Sequence, residues 1–149
     1  VESSIKKIIL ATDFSDASEE ATNQALQLAK TYKAELKALH VFDPSAWNLP
    51  SSYYFASDGH DEDIDKSRQQ GKDALNKLAK SISVNVESIF AEGDPGHVIV
   101  RIAEEHDADL IILGSHGYTG WKRFTMGSVA ELVVRHAPCA VFVVRPKRK

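Results

Sequence analysis

The sequence predicts an α/β domain, a parallel sheet with helices on both faces. Three observations carry this. Strand-like segments alternate with segments of helical periodicity along the whole chain, in the order β-α-β-α-β-α-β-α-β. Such alternation builds a parallel sheet, and right-handed crossovers place helices on both of its faces. Ile8-Ile9-Leu10 and Leu110-Ile111-Ile112-Leu113 are apolar without a break, as in strands covered from both sides. Finally, 149 residues, 43% hydrophobic and 26% charged, are the size and composition of one globular domain. A chain of this length buries ~70% of its unfolded surface. With no internal repeat and no linker, residues 1–149 are expected to form one domain.

The elements follow in order. Residues 5–12 form the first strand. Asp16, with Glu19 three residues on, predicts a capping box for a helix over 17–32. That helix sets Ala21, Ala25, Leu28, Ala29 and Tyr32 on one face. Residues 36–42 form a second strand. A loop over 43–61 follows, broken by Pro44, Pro50 and Gly59 and carrying Trp47, Tyr53, Tyr54 and Phe55 as a lid, a partner surface or packing for the domain's own flank. A helix over 62–81 buries Ala74, Leu75, Leu78 and Ala79, and residues 84–90 alternate as a third strand. Asp94-Pro95 is a cap followed by a first-position proline, and the helix it starts, to His106, buries Val98, Ile99, Ile102 and Ala103. Residues 109–113 form the most buried strand, 114–126 a loop, 128–136 a helix and 140–144 the last strand.

In open parallel sheets ligands bind beyond the carboxyl ends of the strands. That rule points to Asp13, to Val41 and Phe42, and to Gly114. Four of the eight glycines fall between Gly114 and Gly127. Glycines let backbone amides approach a bound group, and successive amides form anion-binding nests. The loop ends at Gly127-Ser128, where a helix begins, and a helix N-terminus suits a phosphate. It is neither a Walker A loop nor a G-x-G-x-x-G turn. Read from the residues alone, it is either an anion cradle or a βα loop with turn glycines. Ser128 and Glu131 also have the spacing of a capping box, which would set a carboxylate against any phosphate there.

Other chemistries find little support. The single cysteine, Cys139, allows no intrachain disulfide and no Cys-based zinc site, and reads as a buried structural thiol. A net charge of −3 argues against a nucleic-acid partner. No apolar run approaches the ~18 residues of a membrane span. Charge returns at Asp13 before a signal-peptide core could develop, so a cytoplasmic location and no membrane partner are expected. His97 and His106 are about 13 Å apart along one helix, too far to share a metal. His60 to Asp63 reads as a solvated helix entry. Ser115 and His116 are adjacent, but no G-x-S-x-G elbow holds the serine. His116 is either a phosphate ligand or a solvated loop residue, and Lys122 and Arg123 either offset phosphate charge or are solvated.

The motif Gly-x2-Gly-x9-Gly-Ser, at Gly114, Gly117, Gly127 and Ser128, resembles the nucleotide-binding signature of the universal stress proteins. Ala11-Thr12-Asp13-Phe14-Ser15, Gly93-Asp94-Pro95, the segment from Asp109 to Gly117, Gly127-Ser128-Val129-Ala130-Glu131 and the stretch from Ala137 to Val144 are similar to family segments too. The resemblance spans nearly the whole chain. It implies a five-stranded, Rossmann-like sheet of order 3-2-1-4-5 and, because the glycines are kept, membership of the ATP-binding branch. Asp13 would then meet the ribose or a Mg²⁺ ion. Val41 would read the adenine edge, with Ala11, Thr12 and Leu113 as wall; Ala11 stands where some ATP-binding members carry proline. Gly114, Gly117, Gly127, Ser128 and Val129 would line the phosphates, with Ser115 and His116 in the same nucleotide-binding loop. ATP, AMP or another adenine nucleotide is the implied ligand. The resemblance also implies a homodimer joined through Val141, Phe142, Val143 and Val144. The expected function is that of a stress-response regulatory or protective binding module. No general base stands out, so ATP hydrolysis is expected to be slow at most. The alternatives are a nucleotidyl-transferring or ATP-hydrolysing enzyme of related fold, and a structural dimer without ligand.

Overall fold

The computed structural model describes residues 4–47, 60–82, 85–116 and 126–147. Five parallel strands form one sheet in the order β3-β2-β1-β4-β5, the order expected. They are β1 (Lys7–Ala11), β2 (Glu35–Phe42), β3 (Val86–Glu92), β4 (Leu110–Gly114) and β5 (Ala140–Val144). The helices are α1 (Asp16–Tyr32), α2 (His60–Ser81), α3 (Pro95–Glu105) and α4 (Ser128–His136).

The two continuously apolar runs are the central pair, β1 and β4, aligned Ile8 to Leu110, Ile9 to Ile111 and Leu10 to Ile112. Side chains alternate between the faces of a strand. Ile8, Leu10, Leu110 and Ile112 therefore meet Ala21, Ala25 and Ala29 of α1 on one face. Ile9, Ala11, Ile111 and Leu113 meet Val98, Ile99 and Ile102 of α3 and Ala130 and Val133 of α4 on the other. The alanine stripe lets α1 settle close across β1, β4 and β5, while α2 covers β2 and β3. At the amino end of the central pair, the Asp109 carboxylate accepts from the amides of Lys6 and Lys7, each at 2.9 Å.

Several boundaries differ from the sequence reading. The cap of α1 is Ser15, whose hydroxyl accepts from the Ser18 amide; Asp16 is the first helical residue. Two adjacent residues could cap, and the one already turned into extended backbone by the preceding acidic turn does so. Tyr32, expected on the buried face of α1, is 38% exposed in the helix's last turn. β3 runs from Val86 to Glu92, beyond residue 90, pairing with β2 as far as Phe42; Val84 lies outside the described residues. α2 already begins at His60, and Pro44–Trp47 form a short 3-10 turn within the loop. Tyr53, Tyr54 and Phe55 lie outside the described residues. No helix among the described residues is long and apolar enough to cross a membrane.

Candidate functional site

A cavity of about 590 Å³ opens at the carboxyl ends of β1, β2 and β4, on the α3/α4 side. That is within the usual size of small-molecule sites. Its wall holds Ala11, Thr12 and Asp13 from β1 and its turn, Val41 from β2, and Leu113, Gly114, Ser115 and His116 from β4 and beyond. Gly127, Ser128 and Val129 complete it from the start of α4. Sequence reasoning selected all of these; Gly117, Lys122 and Arg123 lie outside the described residues. It missed Ser18, Leu39, Asp43, Pro95, Ile99 and Ala130. Leu39 was readable, since it shares the face of Val41 two residues on. So was Asp43, directly past the end of β2. Pro95 and Ile99 arrive only through the packing of α3.

The turn after β1 is tightly tied. Asp13 Oδ1 accepts from the Ser15 amide at 3.0 Å and from the Ser18 hydroxyl at 2.7 Å. Neither of these bonds uses Oδ2. The Ser18 hydroxyl in turn accepts from the Asp13 amide at 3.2 Å. The Phe14 amide donates to Thr12 Oγ1 at 3.0 Å, and Phe14 takes a left-handed φ of 65°.

The two glycines flanking the loop act through close approach. A Cβ on Gly114 would lie 2.8 Å from Ala17 Cβ and 2.9 Å from the Ala17 carbonyl carbon. Its lack of a side chain lets the end of β4 meet the first turn of α1. A Cβ on Gly127 would lie 3.0 Å from Ser115 O. The Gly127 amide donates to that same oxygen at 2.7 Å, which draws the start of α4 onto the end of β4.

Gly127 is the cap of α4 and makes no side-chain capping bond, so the expected Ser128–Glu131 box is absent. Ser128 is instead the first helical residue. The Glu131 carboxylate turns along the helix to Arg135, at 2.8 Å. The amides of the first turn of a helix have no intrahelical acceptor, and the helix dipole makes that end positive. Here they face the cavity without an acidic cap. Ser115, buried, shares a 3.0 Å hydrogen bond with His116 Nδ1. His116 Nε2 is buried and finds no hydrogen-bond partner among the described residues.

The cavity thus joins an apolar slot, between Ala11, Leu39, Val41, Ile99 and Leu113, to an anion-attracting helix end, with Asp13 and Asp43 on its rim. The slot fits a planar base and the helix end fits a phosphate. Among the described residues no cluster of three metal-ligating side chains exists. A Mg²⁺ ion fits in another way, since it is commonly held by one or two carboxylates plus substrate phosphates. Cys139 lies apart from this cavity. Burial, with the Asp109 carboxylate nearby, pushes its thiol pKa up, which suits a structural role.

The model of the universal stress protein family matches residues 4–145, and the chain belongs to that family. It is 39% identical over 149 residues to Universal stress protein MJ0531 of Methanocaldococcus jannaschii, covering 97% of this chain and 84% of that protein. The solved structure of the universal stress protein UspA from Lactobacillus plantarum is similar with a TM-score of 0.73 and 31% identity, over 96% of this chain and 99% of that one. A universal stress protein solved in complex with cAMP shares the fold, with a TM-score of 0.65 and 24% identity, over 97% of this chain and all of that one.

Proposed function

We propose that this universal stress protein is an adenine-nucleotide-binding module with a regulatory or protective role in the stress response, and that ATP is its ligand. One observation carries the reading: a single cavity sets an apolar slot beside the uncapped amides of α4. Adenine lies in the slot and takes its edge contacts from the backbone at Val41. The phosphates lie against the amides of Ser128 and Val129 and the hydroxyl of Ser128. His116 Nε2, which has no partner among the described residues, gains one in them. Asp13 meets the ribose or, together with the phosphates, a Mg²⁺ ion, whose part is to neutralise phosphate charge. That a fold-mate was solved in complex with cAMP is in keeping with an adenine-nucleotide ligand.

Phosphoryl transfer needs an oriented nucleophile and a clamp on the transferred group. The described wall offers no base in such an arrangement, so binding is favoured over rapid turnover. The reading includes one domain, a cytoplasmic location, no nucleic-acid partner and a homodimer through Val141, Phe142, Val143 and Val144. β5 is an edge strand, and Phe142 is 40% exposed with Val134 of α4 47% exposed. An apolar edge of that kind needs cover.

The test is calorimetric titration with ATP, AMP and cyclic AMP, each with and without Mg²⁺. Saturable binding of at least one adenine nucleotide supports the reading; a folded protein that binds none overturns it. Turnover faster than roughly 1 s⁻¹ would assign it to enzymes instead. Sedimentation of Phe142→Asp tests the dimer: the variant should be monomeric where the wild type is dimeric. A wild type that is monomeric throughout overturns that part.

A further inference from the structure

We infer that His40, which does not line the cavity, is the positioning residue of its acidic turn, a role that rests on the nucleotide-binding reading. On β2, Leu39 and Val41 face α3 and α4, so His40 between them faces the opposite side of the sheet. From there its Nδ1 reaches the Thr12 carbonyl oxygen at 2.8 Å. A carbonyl only accepts, so Nδ1 carries the proton and donates. The same ring packs on Phe14 with 4.7 Å between centroids. His40 thus grips both residues that flank Asp13.

This grip matters because the turn is strained. Phe14 is a bulky side chain at a φ of 65°, and such residues hold that conformation only where surrounding contacts over-determine it. The bonds at Asp13 Oδ1 and Thr12 Oγ1 are local, made within seven residues of chain. His40 adds a side-chain tie from the neighbouring strand to the backbone bond that the Thr12 amide makes to the Leu39 carbonyl at 2.9 Å. Without His40 the Thr12 carbonyl and the Phe14 ring lose one hold each, and the Asp13 carboxylate between them is less firmly placed in the cavity wall.

The ring is itself held from behind. Phe90 lies 5.9 Å from it, centroid to centroid. Gly71 brings the α2 backbone so close that a Cβ there would sit 3.1 Å from His40 Nε2 and 3.2 Å from Cδ2. Position 71, on a helix outside the cavity, therefore bears on the turn through His40.

Three variants test this: His40→Leu, His40→Asn and Gly71→Ala. Leucine removes the donor; asparagine places an amide nitrogen near where Nδ1 was. Alanine at 71 improves helix propensity while crowding the ring, so weakened binding there cannot come from a weaker helix. Titration with Mg-ATP should show affinity about tenfold lower for His40→Leu, the scale of one lost part-buried hydrogen bond. His40→Asn should recover most of it. Gly71→Ala should bind more weakly than wild type with no fall in melting temperature. Amide hydrogen exchange at Phe14 and Ser15 in the nucleotide-free protein should quicken in His40→Leu and not in His40→Asn. Folded His40→Leu that binds within twofold of wild type, or exchanges no faster, overturns the inference. A wild type that binds no adenine nucleotide overturns the binding reading instead, and the exchange comparison then still decides whether His40 holds the turn.

Discussion

Gly114 and Ala17 meet so closely that the strand carrying one and the helix carrying the other have no room for a second Cβ: the atom would lie 2.8 Å from that of Ala17. The next atoms it would meet, the Ala17 carbonyl carbon at 2.9 Å and the Ser18 nitrogen at 3.1 Å, are backbone, which cannot swing aside. Gly114→Val should therefore lose about 3 kcal/mol of stability, the upper range for an overpacked core. Nucleotide binding should fail with it. Urea unfolding of the variant measures the first effect, and titration of whatever remains folded measures the second. Unchanged stability would show that α1 can move away from β4.

Asp13 has two duties that substitution can separate. Asp13→Asn keeps an oxygen for the Ser15 amide and the Ser18 hydroxyl, so stability should stay within about 0.5 kcal/mol of wild type. It removes the charge, so the part of ATP affinity that depends on Mg²⁺ should be lost. Asp13→Ala also breaks both bonds to Oδ1 and should cost about 1–2 kcal/mol of stability besides. Chemical denaturation and titration with and without Mg²⁺ distinguish the two.

Arg135 draws the Glu131 carboxylate along α4 and away from its N-terminus. Releasing it should weaken anion binding there. Arg135→Ala should lower ATP affinity about twofold at low salt, the scale of one charge at a helix end. Glu131→Gln should cancel that loss. At about 1 M salt, where the Debye length is ~3 Å, the difference should vanish.

Asp94 caps α3, accepting from the His97 amide at 3.2 Å and meeting the His97 ring at 2.5 Å. The ring hydrogen bond first, and the amide second, hold its carboxyl below its ordinary 3.8. A lowered folded pKa stabilises the fold above the unfolded value and loses that support as pH falls through the folded one. Asp94→Ala should be less stable than wild type by about 1 kcal/mol at neutral pH, the usual worth of a cap. The gap should hold down to about pH 4 and close only as pH falls further, through the folded value below 3.8. Thermal melts from pH 7 down to 3 follow this directly, and a gap that persists in acid would separate the cap from the charge.

What could be read in advance and what could not divide along physical lines. Unbroken apolar runs marked β1 and β4 because burial on both faces leaves no other composition open to them. The glycine-rich segment and Asp13 marked the cavity because strand ends and helix starts sit at known ends of such a sheet. Ser15 and Asp16 could not be ranked as caps, since both side chains can accept and only the path of the preceding turn decides. Gly114 read as a phosphate-loop residue, and its packing on Ala17 appears only once α1 lies across β4. Glu131 had the spacing of a capping partner, but Arg135 one turn on competes for it. His40 carried no signal beyond its place in the second strand, because its partner Thr12 is 28 residues away in the chain.

The Asp109 carboxylate that fastens the amides of Lys6 and Lys7 joins positions 103 and 102 residues apart. Every β1–β4 pairing has a similar span. During synthesis β1 can find β2 early, but its other edge has no partner until β4 emerges. Contacts so distant in sequence are slow to form, and an unpaired apolar edge invites association. The N-terminal half alone would thus display Ile8, Ile9 and Leu10 along an open strand. The strands that give the mature domain its driest centre are the ones that leave the nascent chain most in need of protection.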